Sequence, residues 1–421
     1  MDDKSKDEFA ALIGIDWADK KHDICLLDVD SGAMEFSILA HKPEAIDKWV
    51  LELRSRLSGR KVAICLEQKK GPLVYALLKY DFLVLFPVNP QTLAKYRRTF
   101  KTSRAKDDPT DAALMVDLLV KHRDKLSAWE PEKEQIRKLQ ILVEHRRRLV
   151  GDKVRVSNRL TSLLKGYYPQ VLDWFKDKDT EVFCDFIIRW PTLRKAQRAK
   201  KSTIERFLFE HNVRYKNVVQ NRLAAIAGAL ALTDDRAIIE SSAIMAVVTA
   251  GQLKELLLAI RRFDEEIEDL FDKCDDYDLF STLPGAGPVL APRLLVAFGC
   301  NREKYDSADD ILRYSGIAPV VERSGQKSWV HWRYSCPKFL RQSFVEWAKE
   351  STRHSFWAGE FYRCQRDKGK SHQAAVRALA FKWIRILFRC WKDRKPYDEA
   401  KYLLALQKKG SPLLAGLRAE N

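Results

Sequence analysis

No CxxC pair occurs anywhere in these 421 residues. The eight cysteines (Cys25, Cys65, Cys184, Cys274, Cys300, Cys336, Cys364 and Cys390) are scattered and have no histidine pairs nearby. That spacing argues against a zinc site and against a disulfide framework, and it points to a reducing, cytoplasmic setting. The opening stretch MDDKSKDEFA lacks the basic and apolar blocks of a signal peptide. No apolar run reaches the roughly 20 residues that span a bilayer, so a soluble protein is expected.

An acidic excess is missing too. Lys plus Arg number 75 against 58 Asp plus Glu, a formal net charge of +17. A polyanion is therefore the expected large partner, and nucleic acid fits better than a membrane surface. The basic residues run through the central and C-terminal parts instead of gathering in a tail, so whole folded faces should be basic. With 46% apolar and 10% aromatic residues, a chain of this length can bury two or three cores.

Three regions follow one another. ALIGIDWADKKHDICLLDVDSGAMEFSILA reads as three short strands separated by turns. A helix over 44–57, a strand KVAICLE over 61–67, a helix over 72–79, a strand FLVLFPV over 82–88 and a helix over 109–122 come next. That order describes a mixed sheet covered by helices. From Pro131 the pattern changes to long charged helices. Leu142, Leu149, Val156 and Leu163 repeat every seven residues, and Leu256, Ile260, Phe263, Ile267 and Leu270 alternate four- and three-residue steps. Both read as coiled-coil-like seams that could pair within the chain or between protomers. The stretch 169–251 looks helical and carries no readable motif. In the last region PGAGP (284–288) joins two helical stretches, and a final helix sets Lys382, Arg385, Arg389 and Lys392 in a stripe. That stripe reads either as a nucleic-acid track or as the solvated face of a core helix.

The carboxylates carry the sharpest signal. In AKDDPTDAALMVDLLVKH, Asp108, Pro109 and Asp111 match a capped helix start, with Asp at the cap, Pro in the first turn and an acid three positions on. Asp16 ends the first strand and Glu67 ends KVAICLE after four apolar residues. Packing explains such strand-end acids poorly, because an unpaired buried carboxylate is costly. Adjacent parallel strand ends would join Asp16 to Glu67, and a helix laid across them would add Asp108 and Asp111 from one face. Four carboxylates in one cleft need a counter-charge. Oxygen-only ligands favour Mg²⁺ or Mn²⁺, and paired ions of this kind act on phosphodiesters. Capping and metal binding are compatible roles. Asp107, Asp19 and Asp23 rank lower because they fall in turns or on the wrong phase, and Asp28 and Asp30 read as turn residues.

GIDWADKKHDICLLD, CLEQKKGPLVYALL and KDDPTDAALMVDLL resemble the RuvC-like N-terminal domain of the DEDD transposases of the insertion sequence 110 family. LPGAGPVLAPRLLVAFG, YSGIAPVVERSGQKS and FLRQSFVEWA resemble that family's C-terminal transposase domain. The resemblance implies an α/β fold of RNase H type over 1–128, a helical linker and oligomerisation region over 129–275, a mostly α-helical transposase domain over 276–400, and a tail over 401–421. It implies Asp16, Glu67, Asp108 and Asp111 as the acidic set and Ser324 as a nucleophile. It also implies DNA recombination guided by a structured noncoding RNA and carried out by a homo-oligomer. The chain departs from the commoner pattern where Tyr334, Ser335, Cys336 and Pro337 precede Leu340 and Arg341.

A hydroxyl needs a base, a cation or a metal before it attacks. Arg323 and Lys327 flank Ser324, and Arg333, Lys338 and Arg341 follow. Guanidinium groups there would hold a scissile phosphate by paired hydrogen bonds. Ser315, Ser328 and Ser335 are alternatives, and a surface Ser-Gly turn is the plain structural account. PGAGP resembles a helix-hairpin-helix turn, with a simple interhelical turn as the alternative. The basic track would continue through Lys382, Arg385 and Arg389. Two rival functions remain: a junction-resolving hydrolytic nuclease that uses only the acidic domain, and a non-catalytic nucleic-acid-binding protein.

Overall fold

Five short strands form the first sheet: β1 (Ala11–Asp16), β2 (Lys21–Asp28), β3 (Met34–Ala40), β4 (Val62–Leu66) and β5 (Leu83–Pro87). They lie in the order β3-β2-β1-β4-β5. In this computed structural model, which describes residues 8–67, 71–100 and 108–414, the three N-terminal strands pair antiparallel, while β1–β4 and β4–β5 are parallel. The helices are α1 (Pro43–Arg56), α2 (Pro72–Leu77), α3 (Pro90–Phe100) and α4 (Asp108–His122). The expected mixed sheet is present, with the expected elements shifted by at most two residues at their ends. Helix α3 was not expected.

Alternation divides the sheet into two faces. Ala11, Ile13, Ile15, Val62, Ile64 and Leu66 belong to one core. Leu12, Cys25, Ala63, Cys65 and Phe86 belong to another, with Ala112, Met115, Val116 and Leu119 of α4. Helix α4 crosses β1 at Gly14. A Cβ there would stand 2.0 Å from the carbonyl oxygen of Ala112 and 2.9 Å from the Met115 Cβ. Only a hydrogen fits. The exchange Gly14→Ala is expected to cost about 3 kcal/mol, at the upper end of the overpacking range, because it presses on backbone. A urea denaturation series on the purified variant would measure it.

On the opposite face His22 is fully buried. Its Nδ1 accepts from the Ala18 amide at 3.4 Å, so Nε2 donates to His41 Nδ1 at 2.9 Å. Burial, and then the His41 charge, push the His22 imidazole down to about 4. A histidine depressed in the folded state binds fewer protons than the unfolded chain, so stability falls with pH between about 6.5 and about 4. The full loss is about 3 kcal/mol. The variant His22→Asn should flatten that slope in urea midpoints taken across the same range.

The chain divides into two units, Met1–Pro131 and Glu132–Asn421. The second opens with α5 (Glu134–Tyr167), α6 (Gln170–Trp174), α7 (Glu181–Arg189), α8 (Leu193–Arg198), α9 (Lys201–Glu210) and α10 (Lys216–Gly228). Next come α11 (Arg236–Phe271), α12 (Tyr277–Ser281), α13 (Gly287–Phe298) and α14 (Ala308–Tyr314). A two-stranded ribbon of β6 (Val320–Ser324) and β7 (Lys327–His331) precedes α15 (Lys338–Ser351), α16 (Phe356–Asp367), α17 (His372–Lys392) and α18 (Glu399–Lys408).

Helices α5 and α11 run antiparallel within the chain, tied by Arg146–Asp264, by Lys138–Glu266 at 3.7 Å and by Gln135 to the Leu270 carbonyl at 3.3 Å. The buried positions of α5 are Ile136, Leu139, Val143, Leu160, Leu164 and Tyr167. The expected seam of Leu142, Leu149, Val156 and Leu163 is one residue out of phase with these, and all four are half-buried. On α11 the buried residues are Ala243, Ala246, Thr249, Ala250, Leu253, Ile267 and Phe271. Of the expected seam only Ile267 is among them. Helix α11 is long and apolar enough by composition to cross a membrane, with a mean hydropathy of 1.6 over 18 residues. The sequence reading, which asked for an unbroken apolar run, passed over it. Here its small residues pack against α5 and α7 in a helical core.

In the C-terminal core Trp347, Trp357, Trp383 and Trp391 are all fully buried. Each indole N–H has an acceptor: the Pro284 carbonyl, the Tyr397 hydroxyl, the Ser351 hydroxyl and the Gly299 carbonyl. The PGAGP turn packs into this body. Gly285, at φ +70, comes within 3.1 Å of the Glu350 carbonyl if given a Cβ.

Candidate active site

The strand register lines up the acidic residues. Gly14 pairs with Cys65 and Ile15 with Leu66 in the parallel ladder, so Asp16 and Glu67 occupy the next positions side by side. Asp16 is on the same face as Leu12 and Gly14, the face covered by α4. Alternation carried one residue past β4 places Glu67 there too. Asp111 immediately precedes Ala112, whose carbonyl abuts Gly14, so α4 sets Asp111 over the same end of β1. Asp108 opens α4. Asp107 lies outside the described residues.

Asp111 is 3% exposed. Its Oδ2 accepts from Arg97 of α3, and its Oδ1 is buried with no hydrogen-bond partner among the described residues. A capping box would spend this carboxylate on backbone amides of the helix start. Its one described bond goes to Arg97 instead. A buried carboxylate oxygen without a donor is energetically poor and suits a position that awaits a cation.

Asp23, ranked lower on the sequence, is placed differently by the fold than a turn residue would be. Asp23 lies within β2, paired directly with Asp16 in the antiparallel ladder. Opposed residues share a face, so Asp23 joins the acidic row. The signal that could have found it is the register of the first hairpin, which the phase of a single strand does not give. Among the described residues, no three His, Cys, Asp or Glu side chains stand in ligating geometry around one point. The donors at this corner are all carboxylate oxygens, which fits Mg²⁺ or Mn²⁺ and does not fit zinc.

In the second unit, Ser324 ends β6 and pairs with Lys327 across a two-residue turn, Gly325-Gln326. Gly325 has φ +58, the positive value that a type II′ turn needs at its first central position. Residues 321–331 are exposed without exception. The Ser-Gly turn and the candidate nucleophile are thus the same feature, the tip of a bare ribbon. The mostly helical expectation missed this ribbon. Arg323, opposite Ser328, points to the other face from Ser324.

The remaining basic candidates divide. Lys338, Arg385 and Arg389 are exposed, and Arg389 has Asp393 at 3.8 Å. Lys382 departs from the stripe: its ammonium sits 5.2 Å from the Trp357 ring centre and 5.0 Å from that of Phe361, and burial lowers its pKa. Lys392 bonds the Arg302 carbonyl at 2.7 Å. Arg341 donates to the Arg333 carbonyl and to the Cys336 sulfur.

Residues 13–169 match a transposase family model, the DEDD type of IS110. Residues 277–363 match the model described as transposase of the IS116/IS110/IS902 family. Similarity extends along nearly the whole chain. A Streptomyces coelicolor protein named as a transposase for the IS117 mini-circle is 28% identical, covering 94% of this chain and 97% of its own length. A protein of insertion element IS116 from Streptomyces clavuligerus is 25% identical over 92% of this chain and 96% of its own. One from insertion element IS900 of Mycobacterium paratuberculosis is 23% identical over 92% and 97%. The chain belongs to the IS110 family of transposases, whose activity is to cut and rejoin DNA.

Proposed function

We propose that the protein cuts and rejoins DNA with two separate chemical parts, an acidic corner that holds divalent cations and a serine that becomes joined to DNA. The observation that carries this reading is the acidic row: Asp16 and Glu67 in consecutive register on the face that α4 crosses at Gly14, with Asp111 beside the crossing. The strand order, with three antiparallel strands followed by two parallel ones, supports an RNase H-type, RuvC-like domain. Asp16, Glu67, Asp108 and Asp111 would hold Mg²⁺ or Mn²⁺, and the ion would supply Lewis-acid polarisation of a phosphoryl oxygen.

Ser324 Oγ attacks phosphorus. The Oγ–P bond forms, the hydroxyl proton leaves, and the P–O bond to one deoxyribose breaks, its oxygen departing as a hydroxyl once protonated. Attack by the hydroxyl of the exchanged strand reverses each step and frees the serine. Lys327, opposite Ser324 in the ladder, places an ammonium beside the developing alkoxide. Arg323, Arg333, Lys338, Arg385 and Arg389 serve as DNA or RNA contacts. A structured noncoding RNA guides the choice of DNA, and the protein works as a homo-oligomer in the cytoplasm. The net charge of +17 supports a polyanionic partner of this size. The domain plan of 1–128, 129–275, 276–400 and a tail belongs to the same reading.

The test is a denaturing gel of protein incubated with labelled element-end DNA, Mg²⁺ and RNA transcribed from the element's flank. A covalent protein–DNA band lost on Ser324→Ala and on Asp16→Asn supports both parts. Free nicks that survive the serine exchange favour the hydrolytic nuclease, and salt-sensitive binding without breakage favours a binding protein.

A further inference from the structure

The ribbon carrying Ser324 meets the helical body only at its foot. There Trp332 lies half-buried, with the Arg377 guanidinium 3.7 Å from its ring centre and that of Arg341 at 4.8 Å. The two arginines come from different helices, α17 and α15. Arg377 Nε donates to the Gln373 carbonyl of its own helix at 3.1 Å, and Arg341 reaches only the Arg333 carbonyl and Cys336. Among the described residues neither forms an ion pair, and Arg341 Nε is buried without an acceptor. Burial, and then the neighbouring Arg341 charge, lower the Arg377 pKa. Two like charges on one indole, with no carboxylate among the described residues to balance them, make a seat for an anion, and planar guanidinium groups suit the non-bridging oxygens of a phosphate, to which they donate paired hydrogen bonds.

We propose that Arg341 and Arg377, laid against Trp332 at the foot of the β6–β7 ribbon, bind one backbone phosphate of the DNA strand on which Ser324 acts. This rests on the reading of Ser324 as the nucleophile. Five residues of extended chain separate Lys327, opposite Ser324, from Trp332, a span of about 17 Å at the usual strand rise. Phosphates along one strand of B-form DNA rise by about 3.4 Å each while winding round the axis at about 10 per turn, so a straight span of this length reaches a phosphate about three nucleotides from the scissile one. Trp332 and Arg377 become positioning residues: with the phosphate seated, the ribbon can swing neither toward nor away from its target.

The test measures binding by the full-length protein without divalent cation, so that no cleavage enters. The probe is a fluorescein-labelled duplex of the element's end, and RNA of the same sequence is run in parallel. Arg377→Gln should weaken DNA binding about tenfold and reduce the slope of log affinity against log salt by about one, while Arg377→Lys keeps the slope. A series of duplexes with a neutral methylphosphonate at each position in turn should show one sensitive site about three nucleotides from the cut, and Arg377→Gln should abolish that sensitivity. A flat series with the wild-type protein overturns the proposal even if the variant fails to fold. So does a loss confined to RNA, or an unchanged slope with a lowered melting temperature. Absence of a serine adduct, by contrast, sinks the Ser324 reading and leaves the binding result standing.

Discussion

Strand cleavage by the Asp16→Asn protein is expected, on the proposed two-part mechanism, to fall by on the order of 10³-fold, because there Asp16 is a cation ligand whose loss removes several kcal/mol of transition-state charge stabilisation. The reasoning starts from the sheet. Asp16 has Glu67 on one side and Asp23 on the other, both on the face that α4 crosses. Asparagine keeps the size and the hydrogen-bonding oxygen but removes the charge. It also relieves repulsion within the acidic row, so the variant should melt no lower than the parent. Loss of activity with retained stability separates a metal-holding carboxylate from a structural one. Glu67→Gln should behave in the same way. Cleavage at the parental rate by either variant, in a gel assay with Mg²⁺ or Mn²⁺, would reduce the row to a structural feature.

The second large effect is expected for Ser324→Ala. If Ser324 is the nucleophile, as proposed, its loss should reduce the covalent protein–DNA band by on the order of 10⁵-fold or more, which is below detection. The fold has little stake in that hydroxyl. Ser324 is exposed at the tip of a ribbon whose strands pair chiefly with each other, and surface exchanges of this kind stay within about 0.5 kcal/mol. Unchanged melting with a missing adduct is therefore the expected pair of results. Should the band persist, Ser315, Ser328 and Ser335 are next in line. Ser328 stands opposite Arg323 in the same ribbon, whereas Ser315 is fully buried and so a poor candidate.

The residues themselves explain what could be read early. KVAICLE and FLVLFPV are continuous apolar runs because their strands are covered on both faces, and such runs announce themselves. Asp108-Pro109 marks a helix start within one residue. Helix α3 was missed because PQTLAKYRRTF has few apolar positions and ends in basic ones. The ribbon was missed for a related reason: it buries neither face, so the in-and-out alternation that marks a strand has nothing to produce it. The place of Asp23 opposite Asp16 could not be read because register between strands is a tertiary quantity. The α5 seam was set one residue off because apolar residues stand side by side at Leu142-Val143 and Leu163-Leu164, and a heptad count alone does not say which of the two adjacent phases faces the core; the buried set keeps the phase of Val143 and Leu164. At the acidic corner, the sequence offered the residue types and the helix start. The glycine that lets α4 lie against β1 acquires meaning only when both elements are placed.

The antiparallel α5–α11 pair belongs to two cores, one holding Val143 and Ile267 and the other Leu160 and Ala246. No residue of α5 between Val143 and Leu160 is buried, a stretch of about 25 Å at 1.5 Å per residue. The pair therefore acts as a spacer whose length and twist are both set by residue count. One residue added to this stretch of each helix would turn one core against the other by about 100°, whereas seven would lengthen the spacer by about 10 Å and nearly restore the original angle.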